Sequence, residues 1–449
     1  MPSKRARQAK CVECVPAPTC RRTGLRSSPS RVPSRAPPGH DVDLPHHIML
    51  EVLSFLDTRE IVRARSVRES FVRDAPLLIN KLQFSTGQSF PAATQMELFS
   101  RVTEVRLDGD HDLVQDASKG LAGCASLRRL HVSRSVPLQS PLSEVATARL
   151  LALPLTDLDM CRVRILIPAQ LVMPAWRTLR RLVVRDAYIG DDSLVDLLES
   201  MPAGPLPLRH LDLSRNPLGG MKGMRALSAA LPSFPELESL QLTADRVTSK
   251  AATHLLGTLL DGACPKLSSL DMSLNFLHDD VMDVLAEGLG REGHGLKHLE
   301  KLGIGGRFST EEGVTTFESL ARALAAGGLP LLSFLHVQGD VSPPEVGPLL
   351  RRFKLGACPN LSVVKVERST RLHVPEDRES TEDAVESMWE LVTCSSVPKL
   401  EEVHVLGMNL GNGLEWAEEE RTAFYRARNE SSFHRLALAG ANRGVMIFV

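Results

Sequence analysis

Three cysteines near the start of the chain, Cys11, Cys14 and Cys20 in CVECVPAPTC, have the spacing of thiolate metal ligands. A tetrahedral zinc site needs a fourth ligand, usually from a second paired knuckle, and none follows nearby. GLGREG at 288–293 fits the G-x-G-x-x-G of a pyrophosphate-binding turn. That chemistry requires the turn to lead from a strand into a helix. Here a helical pattern precedes it, so it reads as a loop linking two units. His254 and His278 stand alone and read as helix-surface or turn residues. H-E-x-x-H, a Walker loop, G-x-S-x-G and the protein-kinase motifs are all absent. The sequence offers no catalytic residues, no cofactor site and no metal site.

Charged side chains recur instead at alternate positions of short apolar segments. Two-residue alternation would place Arg106, Arg129, His131, Asp159, Arg181, Arg185, His210, Asp212, Asp271, His336, Lys365 and His404 on one open face of a sheet. The early segments are richer in Arg, whose planar fork fits carboxylate or phosphate. Arg129, His131, Arg181 and Arg185 are therefore expected to read an acidic or phosphorylated target segment, with His210 and Asp212 beside them. A merely solvated mixed surface is the alternative.

The segments that position these groups repeat. Apolar-x-x-apolar-x-apolar appears as VTEVRL from Val102, LRRLHV from Leu127, LTDLDM from Leu155, LRRLVV from Leu179, LRHLDLSRN from Leu208 and LESLQL from Leu237. It continues as LSSLDMSLN from Leu267, LEKLGI from Leu299, LSFLHV from Leu332, LSVVKV from Leu361, LEEVHV from Leu400 and FHRLAL from Phe433. Most intervals are 24 to 33 residues, and only the step from Leu361 to Leu400 is longer. GACPKL (262–267) and GACPNL (356–361) lead into two of the units. Such self-similarity is the signature of a solenoid, whose units must share apolar faces to be stable.

MRALSAAL, AATHLLGTLL, DDVMDVLAEGL and EEGVTTFESLARALAA between the segments show apolar residues at three- and four-residue spacing. Asp279-Asp280 and Glu311-Glu312 stand where helix starts favour negative charge. Strand alternating with helix predicts an α/β fold with a parallel sheet inside and helices outside. These segments resemble leucine-rich repeats over roughly 350 residues, of the ribonuclease-inhibitor and cysteine-containing subtypes. Asn216 and Asn275 fill the turn slot after the strand. Asp110, Ser135, Asp245, Asp340 and Ser369 can substitute there by bonding to nearby backbone, whereas Ala187 and Ala441 cannot. The charged insert ERSTRLHVPEDRESTED (367–383) is expected to bulge from one rim.

Composition agrees. The 449 residues are 43% hydrophobic but only 4% aromatic, as an aliphatic repeat core requires. A formal net charge of −1 gives no global field for nucleic acid or membrane. No apolar run reaches the roughly 18 residues of a membrane span. MPSKRARQAK is not followed by the apolar segment of a secretory signal. A cytoplasmic or nuclear location with reduced thiols is therefore expected for the eight cysteines, and the sequons at Asn360 and Asn429 are expected to stay unmodified.

Residues 1–40 carry nine Lys or Arg against one acid, Glu13, among many Pro and Ser, and are expected to be a disordered basic tail. Nuclear import through Lys4-Arg5-Ala6-Arg7 and an organelle transit peptide stay open for it. Residues 41–85 form a separate unit before the array at 86–449. Read as a helix from Pro45, this unit has one narrow polar stripe, His47, Glu51 and Ser54, while Ile48, Met49, Leu50, Val52, Leu53, Phe55 and Leu56 cover the rest. A helix apolar on most sides needs cover on more than one side. Asp57-Thr58-Arg59-Glu60 resembles a capping box between two helices.

These residues resemble an F-box of about 40 residues. Leu44-Pro45 matches the family's start, Val52-Leu53 its paired aliphatics, Leu56 its next Leu, Glu60-Ile61 its acidic-aliphatic pair and Val67 its later Val. The family's acid after Leu-Pro is here His47, its Cys is Arg68 and its Trp is Phe71. The resemblance implies a three-helix module whose Leu44, Pro45, Ile48, Leu50, Leu53, Leu56, Ile61 and Val67 dock on a Skp-type adaptor and, through it, a cullin. It implies a non-catalytic substrate receptor of a ubiquitin ligase, with the target held by the repeats. An inert helical cap with a binding scaffold behind it is the alternative. The repeat subtype also resembles Ran GTPase-activating proteins, although that family ends in an acidic tail and this chain ends GVMIFV.

Overall fold

The computed structural model describes residues 80–85, 101–134, 141–167, 173–277, 279–305, 316–339, 347, 349–351, 353, 358–368, 378–406 and 432–448. Thirteen described strands form one parallel sheet whose spatial order is the order of the chain. They are β1 (Lys81–Ser85), β2 (Glu104–Asp108), β3 (Arg129–Ser133), β4 (Asp157–Cys161), β5 (Arg181–Arg185), β6 (His210–Asp212) and β7 (Ser239–Gln241). β8 (Ser269–Met272), β9 (Lys301–Ile304), β10 (Phe334–Gly339), β11 (Val363–Arg368), β12 (Glu402–Leu406) and β13 (Met446–Phe448) continue it. Helices return the chain between strands: α1 (His111–Gly120), α2 (Glu144–Leu151), α3 (Asp191–Glu199), α4 (Met221–Ala230), α5 (Ser249–Leu260), α6 (Asp279–Leu289), α7 (Thr316–Ala325), α8 (Arg378–Thr393) and α9 (Ser432–Arg443). This is a leucine-rich-repeat solenoid, strands inside and helices outside.

The repeated leucine at the centre of each segment explains the register. Val105, Leu130, Leu158, Leu182, Leu211, Leu240, Leu270, Leu302, Leu335, Val364 and Val403 are matched strand to strand. All are buried, so each coil seals the apolar face of the next. Toward the helices, Cys124, Cys264 and Cys358 fill equivalent buried places. Trp176 and Phe234 do so in other coils, with ring centroids 6.0 Å apart. The Trp176 indole N–H donates to Ser200 Oγ at 2.9 Å, which satisfies its one polar atom.

The first two helices start at side-chain caps. Asp110 Oδ1 accepts the Leu113 N–H at 3.0 Å at the head of α1, and Ser143 Oγ accepts the Ala146 N–H at 3.2 Å at the head of α2. Asp279-Asp280 opens α6 as the sequence predicts. GLGREG runs out of α6 into a turn, with Gly293 at φ +78°, so it links coils and does not open a helix.

Four expectations are corrected. The sheet begins at Lys81, within the stretch 41–85 assigned to the helical module: KLQFS pairs in parallel with β2, and INKLQF (79–84) has the same apolar-x-x-apolar-x-apolar pattern, 23 residues ahead of Val102. FHRLAL is not a strand; it lies in α9, and the last strand is MIF at 446–448. Its Leu spacing also fits a helical stripe, and the helix-favouring residues around it decide the matter. Ala441 is therefore a helix residue, not a turn-slot residue. The insert at 367–383 does not bulge throughout: Glu367 and Arg368 finish β11, and residues 378–383 open α8. Asp110, read from the sequence as a turn-slot residue, caps α1.

Candidate functional site

The open face of the sheet carries rows of side chains, one per alternate strand position, of which two hold most of the charge. The first row runs Lys81, Glu104, Arg129, Asp157, Arg181, His210 in register. Cation and anion alternate along it from Lys81 to Arg181. Lys81 Nζ lies 2.8 Å from Glu104 Oε1, Arg106 Nε also lies 2.8 Å from that oxygen, and Arg129 Nε lies 3.7 Å from Asp157 Oδ2. The Lys81 hydrogen bond, ahead of that from Arg106, holds the Glu104 carboxyl below the usual carboxylate range.

The second row runs Arg106, His131, Asp159, Val183, Asp212, Gln241, Asp271. His131 Nδ1 is 3.6 Å from Asp159 Oδ2. At the other end of the sheet, Lys365 Nζ lies 2.8 Å from Glu367 Oε2, and His404 Nε2 lies 2.8 Å from Glu402 Oε2. His336 is held below the ordinary imidazole range by burial, then by the Lys365 charge.

Each target-binding candidate can now be placed. Arg129 and Arg185 are exposed on the open face, and His131, Arg181 and His210 are half-buried there. Asp212 is corrected: it is 2% exposed and unavailable to a target. The Arg185 guanidinium, on the neighbouring strand, donates to Asp212 Oδ2 at 2.6 Å, and the Ser214 N–H donates to Oδ1 at 3.0 Å. Strand alternation alone does not foresee a long side chain folding over a short one. His210 is kept below the usual imidazole range by burial and then by Arg181, so it is neutral at pH 7. The expected cluster of free cations is thus a mosaic in which Arg129, His131 and Arg185 each have a carboxylate partner; Arg181 has no ion pair among the described residues.

Beside the face, the turns after β5 to β8 are tied by a buried amide ladder. Asn216 Oδ1 accepts the N–H groups of Ala187 and Ile189 at 3.0 and 3.1 Å, and its Nδ2 donates to the carbonyls of Val184 and Leu213 at 2.7 and 2.5 Å. Asn275 repeats this on Asp245, Val247, Leu242 and Met272. Ala187, which has no polar group to offer, is held by its neighbour's.

Sequence reasoning overlooked the residues of these turns that point away from the ladder. Arg162, Arg164, Arg215 and Arg246 are all exposed there. The signal was available as arginines at fixed offsets after the L-x-L of several units.

The adaptor-binding candidates Leu44, Pro45, Ile48, Leu50, Leu53, Leu56, Ile61 and Val67 lie outside the described residues, as do Cys11, Cys14, Cys20, His278 and Glu311-Glu312. Among the described residues no three His, Cys, Asp or Glu side chains come together to hold a metal ion, and no helix is long and apolar enough to cross a membrane. A depression of about 610 Å³ on the helix side, between the ends of α1 and α2, is lined by Ser118, Lys119, Ala122, Arg149, Ala152 and Leu153, without a carboxylate or thiol.

No protein-family model matches the chain, and no curated protein does. Among solved structures it is similar to an internalin (InlF) from Listeria monocytogenes, at 15% identity and TM-score 0.40, over 77% of this chain and 94% of that one. It is also similar to a chain of the Rad7–Elc1 complex of yeast, at 14% identity and TM-score 0.35, over 73% of this chain and 88% of that one.

Proposed function

We propose that this chain is a substrate-recognition subunit of a Skp–cullin–F-box ubiquitin ligase. The observation that carries the reading is the order of its parts: an F-box-like motif, from Leu44-Pro45 to Val67, stands immediately ahead of the first strand of a long repeat array. In this reading Leu44, Pro45, Ile48, Leu50, Leu53, Leu56, Ile61 and Val67 dock on the Skp-type adaptor, which links to the cullin. The array presents a target protein, and the chain itself performs no bond chemistry. A solenoid suits the second task, because its stacked coils give a long continuous surface from few residues per coil. It would work in the cytoplasm or nucleus.

The test is capture of a purified Skp-type adaptor by the purified full-length chain. Stable 1:1 capture that is lost in a Leu53→Asp/Leu56→Asp variant, with the thermal melt of the array unchanged, supports the reading. Failure of the unaltered chain to capture the adaptor overturns it.

One observation favours a second reading, a binding scaffold without a ligase: His47, Arg68 and Phe71 replace the acid, Cys and Trp of the F-box pattern. Target binding without adaptor capture is its expected result.

A further inference from the structure

The turns that leave β4 to β8 make a second charged surface, and there the charge is not neutralised. At one fixed place after each strand stand Arg162, Asp186, Arg215, Ala244 and Leu274, all in the left-handed region with φ between 54° and 64°. Two residues on come Arg164, Tyr188, Pro217, Arg246 and Phe276. The left-handed turn suits Gly or Asn, so it gives no local reason for arginine at 162, 215 and 246.

Tyr188 is 55% exposed and Phe276 44%. The Arg164 guanidinium lies over the Tyr188 ring, 5.5 Å from its centroid. Arg162 Nε is 3.9 Å from Asp186 Oδ2, a loose pair. Arg215 and Arg246, on adjacent coils, have no carboxylate partner among the described residues. Four guanidinium groups therefore face one carboxylate on this rim, whereas on the sheet face Arg129, His131 and Arg185 each have a carboxylate partner.

We propose that this rim is where the array takes its partner, and that the partner is an acidic polypeptide segment with apolar side chains between its carboxylates. This deepens the reading of the array as a target-binding surface and rests on it. Coils about 4.8 Å apart put Arg162 and Arg215, two coils apart, roughly 10 Å from each other. Carboxylates three residues apart on a polyproline-II segment share a face and are separated by about the same distance, at roughly 3.1 Å per residue. Tyr188, on the coil between them, and Leu274 and Phe276, two coils past Arg215, meet apolar side chains of the same segment. A single-stranded nucleic acid fits less well: one face of Tyr188 already carries Arg164, and a net charge of −1 supplies no wider field for a polyanion.

The experiment pans a random dodecapeptide display library against the full-length chain and measures the enriched peptides by fluorescence anisotropy. Acidic peptides with interspersed apolar residues are expected. Their affinity should fall by about tenfold or more in Arg215→Glu/Arg246→Glu, less in Arg215→Gln/Arg246→Gln, and by less than about twofold in Arg129→Glu/Arg181→Glu, with all melts matching the unaltered chain. Enrichment of nothing, enrichment without acidic bias, affinity indifferent to the rim variants, or tighter binding of a single-stranded thymidine dodecamer overturns the proposal. No adaptor is present, so failure here leaves the ligase reading standing, and failure of adaptor capture leaves this binding standing.

Discussion

Asp245 Oδ1 accepts the backbone N–H of Asn216 at 2.6 Å, and the Asp245 N–H donates in turn to Asn275 Oδ1 at 2.9 Å. A carboxyl group thus occupies a rung of an otherwise amide ladder. Where Asn216 and Asn275 each aim an NH₂ at two carbonyl oxygens, Asp245 has Oδ2, buried and without a hydrogen-bond partner. Burial raises its pKa to about 9, against the lowering effect of the Asn216 N–H and with a smaller push from Asp212. The group is a neutral acid at pH 7.

Between the unfolded value of 3.8 and about 9, the folded state binds the extra proton, so stability falls as pH rises, by up to about 1.4 kcal/mol per pH unit within that window. Asp245→Asn restores the NH₂ and removes this titration. Urea denaturation at pH 6 and pH 8.5 should show the variant more stable at both, by about 3 kcal/mol at pH 6 and more at pH 8.5. An equal pH slope in both proteins would refute the assignment.

Arg185 holds Asp212 more than it waits for a ligand. The carboxylate is buried while the guanidinium is half-exposed, so solvent screens part of the pair. Arg185→Ala leaves a buried anion unpaired and is expected to cost about 1–3 kcal/mol. Arg185→Ala/Asp212→Ala should recover part of that loss. A double-mutant cycle by thermal melting measures the coupling, and zero coupling contradicts the pairing.

The thiols of Cys124, Cys264 and Cys358 are buried, and burial pushes their pKa values to about 11, 12 and 12. They are packing groups, since the thiolate is the reactive form. Iodoacetamide at pH 8 followed by mass mapping should leave these three unlabelled in the native chain and label them in urea. Native labelling at Cys264 would show that its coil opens readily.

Gly295 lies where the link from α6 to β9 crosses the end of α5. A Cβ there would fall 2.3 Å from the Leu259 carbonyl oxygen and 2.5 Å from the Gly262 Cα, both backbone atoms. Gly295→Ala is expected to destabilise by about 1–3 kcal/mol. Gly290→Ala, whose nearest contacts are at 3.5 Å or beyond, is the control and should change little.

The sequence by itself determined the solenoid. A six-residue apolar pattern recurring every few tens of residues allows one economical burial, coil upon coil, and Leu130, Leu158, Leu182 and Leu211 stack as that pattern requires. The reading missed one unit and misplaced another. INKLQF (79–84) carries the full pattern but lies in the stretch given to the helical module, and FHRLAL fits helical spacing as well as strand spacing, so its neighbours decided.

The charged surfaces were legible only as a set of residue types. Alternation says which side chains leave the core, but pairing across strands is a distance, set by register and side-chain length. Only the tertiary structure could show Arg185 reaching over Asp212, Arg129 set against Asp157, and Arg215 and Arg246 left without a counter-charge on the rim. Electrostatic character depends on what lies within a few ångströms, and in this fold those neighbours are about thirty residues away along the chain.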